Sequence, residues 1–375
     1  MKTLIAVLSI ILYPFLLCSQ QTIDGSITHD GLEREYVLYI PANYTGSDAV
    51  PLVFNFHGRS MSASGQMSMC DFRPVADEAG FIIVHPQGTI LNGSTHWNVE
   101  GLTTGSTSDD VGFTEALLDA LSESYNIDST KIFAAGYSNG GYFCFRLACQ
   151  LRNRIAAIAS VGGSMTVETI TNCSPKHSIP VMQIHGTADA SVPYEGTTWS
   201  IPIEDAIQHW VNYNKCNTSP TIKQIPDINT SDQSTVEHRI YSGGDHNVNT
   251  EHFKVIGGYH DWPGSTGNMD IDASSEIWKF FSRYDIKGSL WPAGLDERNE
   301  SSLYLKIYPN PTQSSISIMI ESDKSLDYTL CTLSGQALIS GTIESSPCDI
   351  DLSHLPSGMY LLRTGNRSYK ILKTR

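Results

Sequence analysis

Short, unbroken apolar runs recur along this chain, and each gives way to a stretch with a different period. "PLVFNFHG" (51–58), "FIIVHPQG" (81–88), "KIFAAG" (131–136) and "PVMQIHG" (180–186) carry no alternation of polar and apolar residues. A strand that is apolar at every position must be covered on both faces, and helices on each side of a mostly parallel sheet meet that need. The intervening segments supply such helices. "DDVGFTEALLDALSESYN" (109–126) has helical periodicity with Asp109 or Asp110 placed to cap it, and further helices are expected over 140–151, 203–213 and 274–281. Strands are also expected over 34–40, 155–161, 237–241 and 252–256, so the predicted fold class is α/β.

From 286 to about 302 the sequence "IKGSLWPAGLDERNESS" loses periodicity and gains Gly, Pro and charge, which marks a linker over 287–302. Residues 303–375 then show short alternating runs, "SISIMIE", "YTLCTL", "GMYLLR" and "SYKILK", between turn clusters, and predict a small all-β sandwich. At the other end, Met1-Lys2 precedes an apolar run to Leu17 and polar Ser19, the layout of a signal peptide over 1–19. That run is shorter than a bilayer requires of a spanning helix. The main domain is thus expected over 20–286, in a mature protein outside the cytoplasm. The formal net charge of −15 repels a phosphate backbone, which excludes nucleic acid as a partner.

Ser138 lies in "GYSNGG", where a buried strand passes into a helix. G-x-S-x-G alone is a weak signal. Its mechanics need a strand before the serine and a helix after it, so that a sharp turn lifts the hydroxyl out of the sheet, and both neighbours are present. A serine needs a base to take its proton, usually a histidine oriented by a carboxylate, and here both should follow it in the chain. In "PVMQIHGTADASVPY", Asp189 falls just past a buried strand, where open α/β sheets gather functional groups; Glu195 is the rival further along the loop. Among His209, His238, His246, His252 and His260, the last follows a strand and a glycine pair and precedes Trp262-Pro263, which suits an active-site loop. His185 reads as structural. Oxyanion donors are expected from the backbone N–H of Asn139 and of Arg59 after the "FNFHG" strand. Trp97, Asn98, Tyr194 and Trp262 are candidates for an acyl or sugar pocket, with ordinary packing as the alternative.

The ordered series "FNFHGRS", "DFRPVADEAGFIIVHPQG", "WN", "DDVGF", "GYSNGGY", "HGTADASVPY" and "GGYHDWPG" resembles the secreted α/β-hydrolase esterases of the feruloyl esterase, acetylxylan esterase and polyhydroxybutyrate depolymerase group. The resemblance covers about 21–286. It implies a triad of Ser138, Asp189 and His260, an acyl-enzyme, and no metal or cofactor. Tyr259 stands where the family often has glycine, and Arg59 where depolymerases often have cysteine, which lowers the polyester alternative. "IYPNPTQSSISI", "LSGQAL" and "IDLSHLPSGMYLLR" resemble the sorting domain of type IX secretion substrates, and imply that secretion machinery as a partner. The expected substrate is a feruloyl or acetyl ester of plant cell-wall xylan. A polyester depolymerase and a non-catalytic glycan-binding protein on a hydrolase scaffold are the alternatives.

Eight cysteines include Cys18, which leaves seven after signal removal. Cys331 with Cys348 in the C-terminal unit, and Cys173 with Cys216 flanking one strand and helix, are the expected disulfides. Cys144 and Cys149 share a helix and are expected to pack in the core.

Overall fold

The computed structural model describes residues 20–290, 305–320, 325–332, 337–344, 346–364 and 367–374. The expected signal peptide lies outside them, as does most of the expected linker. The chain divides into two compact units, Met1–Pro292 and Ala293–Arg375.

In the first unit, β1 (Gln21–His29), β2 (Leu32–Ile40) and β3 (Val50–Phe56) lead to two short helices, α1 (Ala63–Met69) and α2 (Arg73–Ala79). β4 (Ile82–Pro86) precedes a small hairpin, β5 (Thr89–Leu91) and β6 (Ser94–His96), and then α3 (Asp110–Ser124). Next come β7 (Ile127–Tyr137), α4 (Asn139–Gln150), β8 (Ala157–Val161), α5 (Val167–Thr171), β9 (Val181–Gly186) and α6 (Ile203–Tyr213). β10 (Thr221–Gln224), β11 (Thr235–Tyr241), β12 (Thr250–Ile256), α7 (Ala273–Phe281) and the hairpin β13 (Tyr284–Asp285) and β14 (Gly288–Ser289) complete it.

Ten strands form one sheet in the order β1-β2-β4-β3-β7-β8-β9-β12-β11-β10. The inner run from β4 to β12 is parallel, and antiparallel strands close both sides. Every residue of β4, β8 and β9 is buried, as the unbroken apolar runs require. Alternate side chains of one strand enter different cores. Leu52, Phe54 and Phe56 of β3 join Phe113 and Leu117 of α3 and Phe143 and Leu147 of α4, whereas Val53 joins Ala76 of α2 and Ile277 and Phe280 of α7. Helices therefore cover both faces, and the fold is that of an α/β-hydrolase. Asp109 caps α3, its Oδ1 accepting from the Gly112 N–H at 3.0 Å. Residues expected in the linker are tied to this unit: β14 pairs with β13, and the Leu290 N–H donates to the Arg283 carbonyl.

The second unit holds β15 (Leu305–Tyr308), β16 (Ser315–Ile320), β17 (Leu326–Thr332), β18 (Ala337–Ile343), β19 (Cys348–Asp351), β20 (Gly358–Thr364) and β21 (Arg367–Lys373). They form two antiparallel sheets, β15-β16-β19 and β18-β17-β20-β21. Ile316, Ile318 and Ile350 of the first and Leu330, Ile343, Leu362 and Ile371 of the second share one core, so the sheets pack face to face.

The cysteine expectations are corrected. Cys149 and Cys173 form the disulfide, joining the last turn of α4 to the segment after α5, while Cys216 is a free buried thiol whose Sγ faces the Val248 carbonyl at 3.6 Å. Cys331 and Cys348 are also free: Cys348 packs against the core that holds Leu330, whereas Cys331, next along β17, is not part of that core and points to the other face. Cys144 packs in the core as expected.

Candidate active site

Parallel strands send the loops after their C-terminal ends to one edge of the sheet. Ser138 follows β7, Asp189 follows β9, His260 follows β12, and the His57-Gly58-Arg59 loop follows β3.

Ser138 sits at the turn from β7 into α4 with φ 54° and ψ −118°, a left-handed conformation that a side chain rarely adopts. Its N–H donates to the Val161 carbonyl at 2.8 Å and its carbonyl accepts from the Tyr142 N–H at 3.1 Å, so both neighbours hold the turn. The hydroxyl makes no capping bond to the helix and is free to point outward. Gly140 lets the helix start against β3, since a Cβ there would collide with the Phe56 carbonyl.

His260 Nε2 lies 2.9 Å from Ser138 Oγ, and Nδ1 lies 2.6 Å from Asp189 Oδ2. An ionised carboxylate only accepts, so Nδ1 carries the proton and Nε2 faces the serine hydroxyl as acceptor. Asp189 Oδ1 accepts from the N–H groups of Ser191 and Val192, each at 2.8 Å. Burial alone would raise the Asp189 carboxyl. The hydrogen bonds from His260 and the Val192 N–H, with two imidazoles nearby, outweigh burial and hold it below the ordinary aspartate value. Tyr137 OH donates to the His260 carbonyl at 2.7 Å and fixes the loop from below, a contact that no sequence spacing announced. Gly162, at φ 62°, leaves room for the imidazole: a Cβ there would stand 3.2 Å from its Cε1 and Nδ1. The arrangement can move a proton from Ser138 to His260 while Asp189 balances the charge.

Asn139 opens α4, where a backbone N–H has no acceptor within the helix. A Cβ on Gly58 would stand 3.4 Å from the Ser138 Cβ, so the Gly58-Arg59 backbone runs beside the serine. His57 shapes that loop from the core. Its Nε2 accepts from the Gly88 N–H at 2.9 Å and its Nδ1 therefore donates to the Gly58 carbonyl at 2.7 Å. Burial pushes this imidazole down to about 4, so it stays neutral.

The expected pocket residues are packing residues. Trp97 and Trp262 are fully buried; the Trp97 indole donates to the His57 carbonyl at 2.9 Å and the Trp262 indole to Ser274 at 3.2 Å. Asn98 is spent on the carbonyls of Ser106 and Ser108, and Tyr194 donates to Glu204 at 2.7 Å. Of Tyr259 and its neighbours, the Tyr259 side chain is the exposed one, at 66%. A cleft of about 470 Å³ lies elsewhere, between Asp24, Glu33 and Glu35 of the β1-β2 ribbon and Ser62 and Ser64 at α1. Among the described residues no group of three His, Cys, Asp or Glu side chains could hold a metal, and no helix is long and apolar enough to cross a membrane.

Residues 105–224 match the Phospholipase/Carboxylesterase family, and residues 306–374 match the secretion system C-terminal sorting domain. The chain is 25% identical over 276 residues to a bifunctional acetylxylan esterase/xylanase of Neocallimastix patriciarum, covering 73% of this chain and 37% of that protein. It is 29% identical over 198 residues to feruloyl esterase B of Piromyces equi, covering 50% and 37%. It thus spans little more than a third of the length of these relatives. The solved acetyl xylan esterase of Aspergillus awamori shares the fold, with a TM-score of 0.52 at 14% identity over 70% of this chain and 99% of that one. The first unit is accordingly an α/β-hydrolase with a Phospholipase/Carboxylesterase match at its centre and feruloyl and acetylxylan esterases among its relatives, and the second carries a secretion sorting domain.

Proposed function

We propose that this protein is a secreted serine esterase working through an acyl-enzyme, with Ser138 as nucleophile, His260 as base and Asp189 as its orienting carboxylate. The unbroken hydrogen-bonded series Ser138, His260, Asp189 carries the reading, since each contact has the length that proton transfer and charge balance need. His260 takes the Ser138 proton as Oγ attacks the ester carbonyl. The backbone N–H groups of Asn139 and Arg59 receive the developing oxyanion. The proton then passes to the leaving alcohol, and water repeats the sequence to free the acid.

The substrate class is a feruloyl or acetyl ester on cell-wall xylan. The named activities of the relatives support it. The C-terminal unit would engage type IX secretion machinery, which suits a substrate too large to enter a cell.

The test is a hydrolysis panel of methyl ferulate, acetylated xylan and polyhydroxybutyrate with the wild type and Ser138→Ala. Turnover of one of the first two, lost in the variant, is the expected result. Release of hydroxybutyrate alone would transfer the reading to a polyester depolymerase, and equal turnover by both proteins would end the serine mechanism.

A further inference from the structure

Behind the Asp189 carboxylate lies a second buried histidine that the mechanism above does not use. His185 ends β9 and is 1% exposed, and the Asp189 side chain is wholly buried beside it. Gln183, two residues earlier on the same face of the strand, donates its amide Nε2 to the Gly163 carbonyl at 2.8 Å and stands 3.1 Å from His185 Nδ1. An amide nitrogen can only donate, so Nδ1 is the acceptor and the imidazole proton resides on Nε2. That N–H donates to the Val192 carbonyl at 2.9 Å, and Asp189 Oδ2 lies 3.4 Å from the same nitrogen as a charge contact. Val192 in turn donates its own N–H to Asp189 Oδ1. One imidazole therefore clamps the turn that holds the carboxylate and contacts the oxygen that faces His260.

We infer that His185 is a positioning residue for the esterase reaction: its Nε2–H, fixed by Gln183, holds the Val192 carbonyl of the turn that keeps Asp189 Oδ2 facing His260, and its dipole lies against the charge of that oxygen. The inference rests on the triad reading. Charged and titratable neighbours are Asp189, His260 beyond it, Tyr194 with its ring centroid 5.9 Å from that of His185, and His252, which stacks on Tyr194 at 6.0 Å and pairs with Gln183 on the adjacent strand. Lys254 lies over the Tyr194 ring at 4.9 Å. Burial keeps both His185 and His252 below the usual histidine range, so neither competes with His260 for the serine proton.

The sign of the effect follows from charge. Without the Nε2–H, Asp189 retains more negative charge for His260 to feel, the His260 imidazolium is held more strongly, and the acid limb of kcat/KM against pH moves upward. His185→Leu in the full chain, assayed on methyl ferulate, is expected to lower kcat about tenfold, the upper scale of one intramolecular hydrogen bond. KM should stay within about twofold of wild type. His185→Gln, whose amide can place a donor near the former Nε2, should recover most of kcat and return the limb.

A folded His185→Leu with wild-type kcat and limb would overturn the inference, as would a His185→Gln as impaired as His185→Leu. Should His185→Leu fail to fold, His185→Phe decides: it keeps a ring but no donor, so a lowered kcat with an upward limb supports the role and an unchanged limb ends it. Ser138→Ala is run in parallel. Activity surviving there would sink the triad itself, whatever the His185 variants do, which separates the two failures.

Discussion

Asn139 and Trp97 hold each other by a reciprocal pair of hydrogen bonds: Asn139 Oδ1 accepts from the Trp97 N–H at 2.7 Å, and Asn139 Nδ2 donates to the Trp97 carbonyl at 3.1 Å. The Trp97 indole then donates to the His57 carbonyl. One buried tryptophan thus ties the residue after the serine, through its backbone, to the loop that carries Arg59, through its indole, and the two proposed oxyanion donors are set by the same residue. Its ring lies against Phe143 at 5.2 Å, nearly parallel, and edge-on to Phe56 at 5.1 Å, which leaves it no freedom to turn.

Asn139→Ala would leave a buried N–H and a buried carbonyl of Trp97 without partners, at a cost of about 3 kcal/mol of folding stability. The Asn139 backbone N–H remains, so kcat should fall while Ser138 still reacts with an organophosphonate. Urea unfolding and probe labelling check the two halves separately; a variant as stable as wild type would mean that the pair contributes nothing to the turn.

Ser138 itself is expected to be a costly residue for the fold. At φ 54° and ψ −118° glycine is at ease and a Cβ is not. Ser138→Gly should therefore be more stable than Ser138→Ala by about 1 kcal/mol, although both lose the hydroxyl and its bond to His260. Thermal melts of the two inactive variants decide it, and a glycine variant melting at or below the alanine one would show that the turn is unstrained.

The disulfide offers a separate check. Cys149 and Cys173 are 24 residues apart, and closing a loop of that size stabilises by about 3 kcal/mol through the unfolded chain. Cys149→Ser with Cys173→Ser should lower the melting temperature accordingly. Alkylation in denaturant before reduction should label Cys70, Cys144, Cys216, Cys331 and Cys348 and leave Cys149 and Cys173 untouched. Label on either of those two would refute the pairing.

The inner sheet was legible because its strands are buried on both faces, so burial and sequence pattern coincide. α6 occupies the residues that its periodicity marks, 203–213, and β7, β9 and β12 end where their glycines stand. Of the outer elements, β2 and β11 were legible from their strand patterns, and others were not. β1 alternates between exposed and half-buried positions at the rim, and α1 and α2, of seven residues each, are too short to develop a period. Motif order sufficed for the serine, aspartate and histidine, whose places are dictated by strand ends. The aromatic residues are another matter, since a tryptophan next to a site reads alike whether it faces a ligand or, as Trp97 does, the core. Disulfide pairing failed for a related reason: which helix end α5 meets depends on how α4 and α5 pack together on one face of the sheet, and no spacing encodes it.

Acid should weaken this fold over two overlapping ranges of pH, for which His57 and Glu251 serve as examples. His57 is pushed down from 6.5 to about 4, mainly by burial, so the unfolded chain takes up a proton below pH 6.5 that the folded one refuses. Glu251 is held from 4.5 down to about 2: burial opposes this, but the Arg283 guanidinium at 2.6 Å and His238 at 2.8 Å prevail. Both folded values lie below the unfolded ones, so each contribution is complete at high pH and is lost as pH falls, His57 between 6.5 and 4 and Glu251 between 4.5 and 2. Each is worth about 3 kcal/mol over its window. Glu251→Gln should start from lower stability at pH 7, with the carboxylate charge gone from beside Arg283, and then lose less than wild type between pH 4.5 and 2. Urea midpoints measured at pH 7, 5, 4 and 3 test this, and parallel curves for the two proteins over the lower window would remove Glu251 from the account.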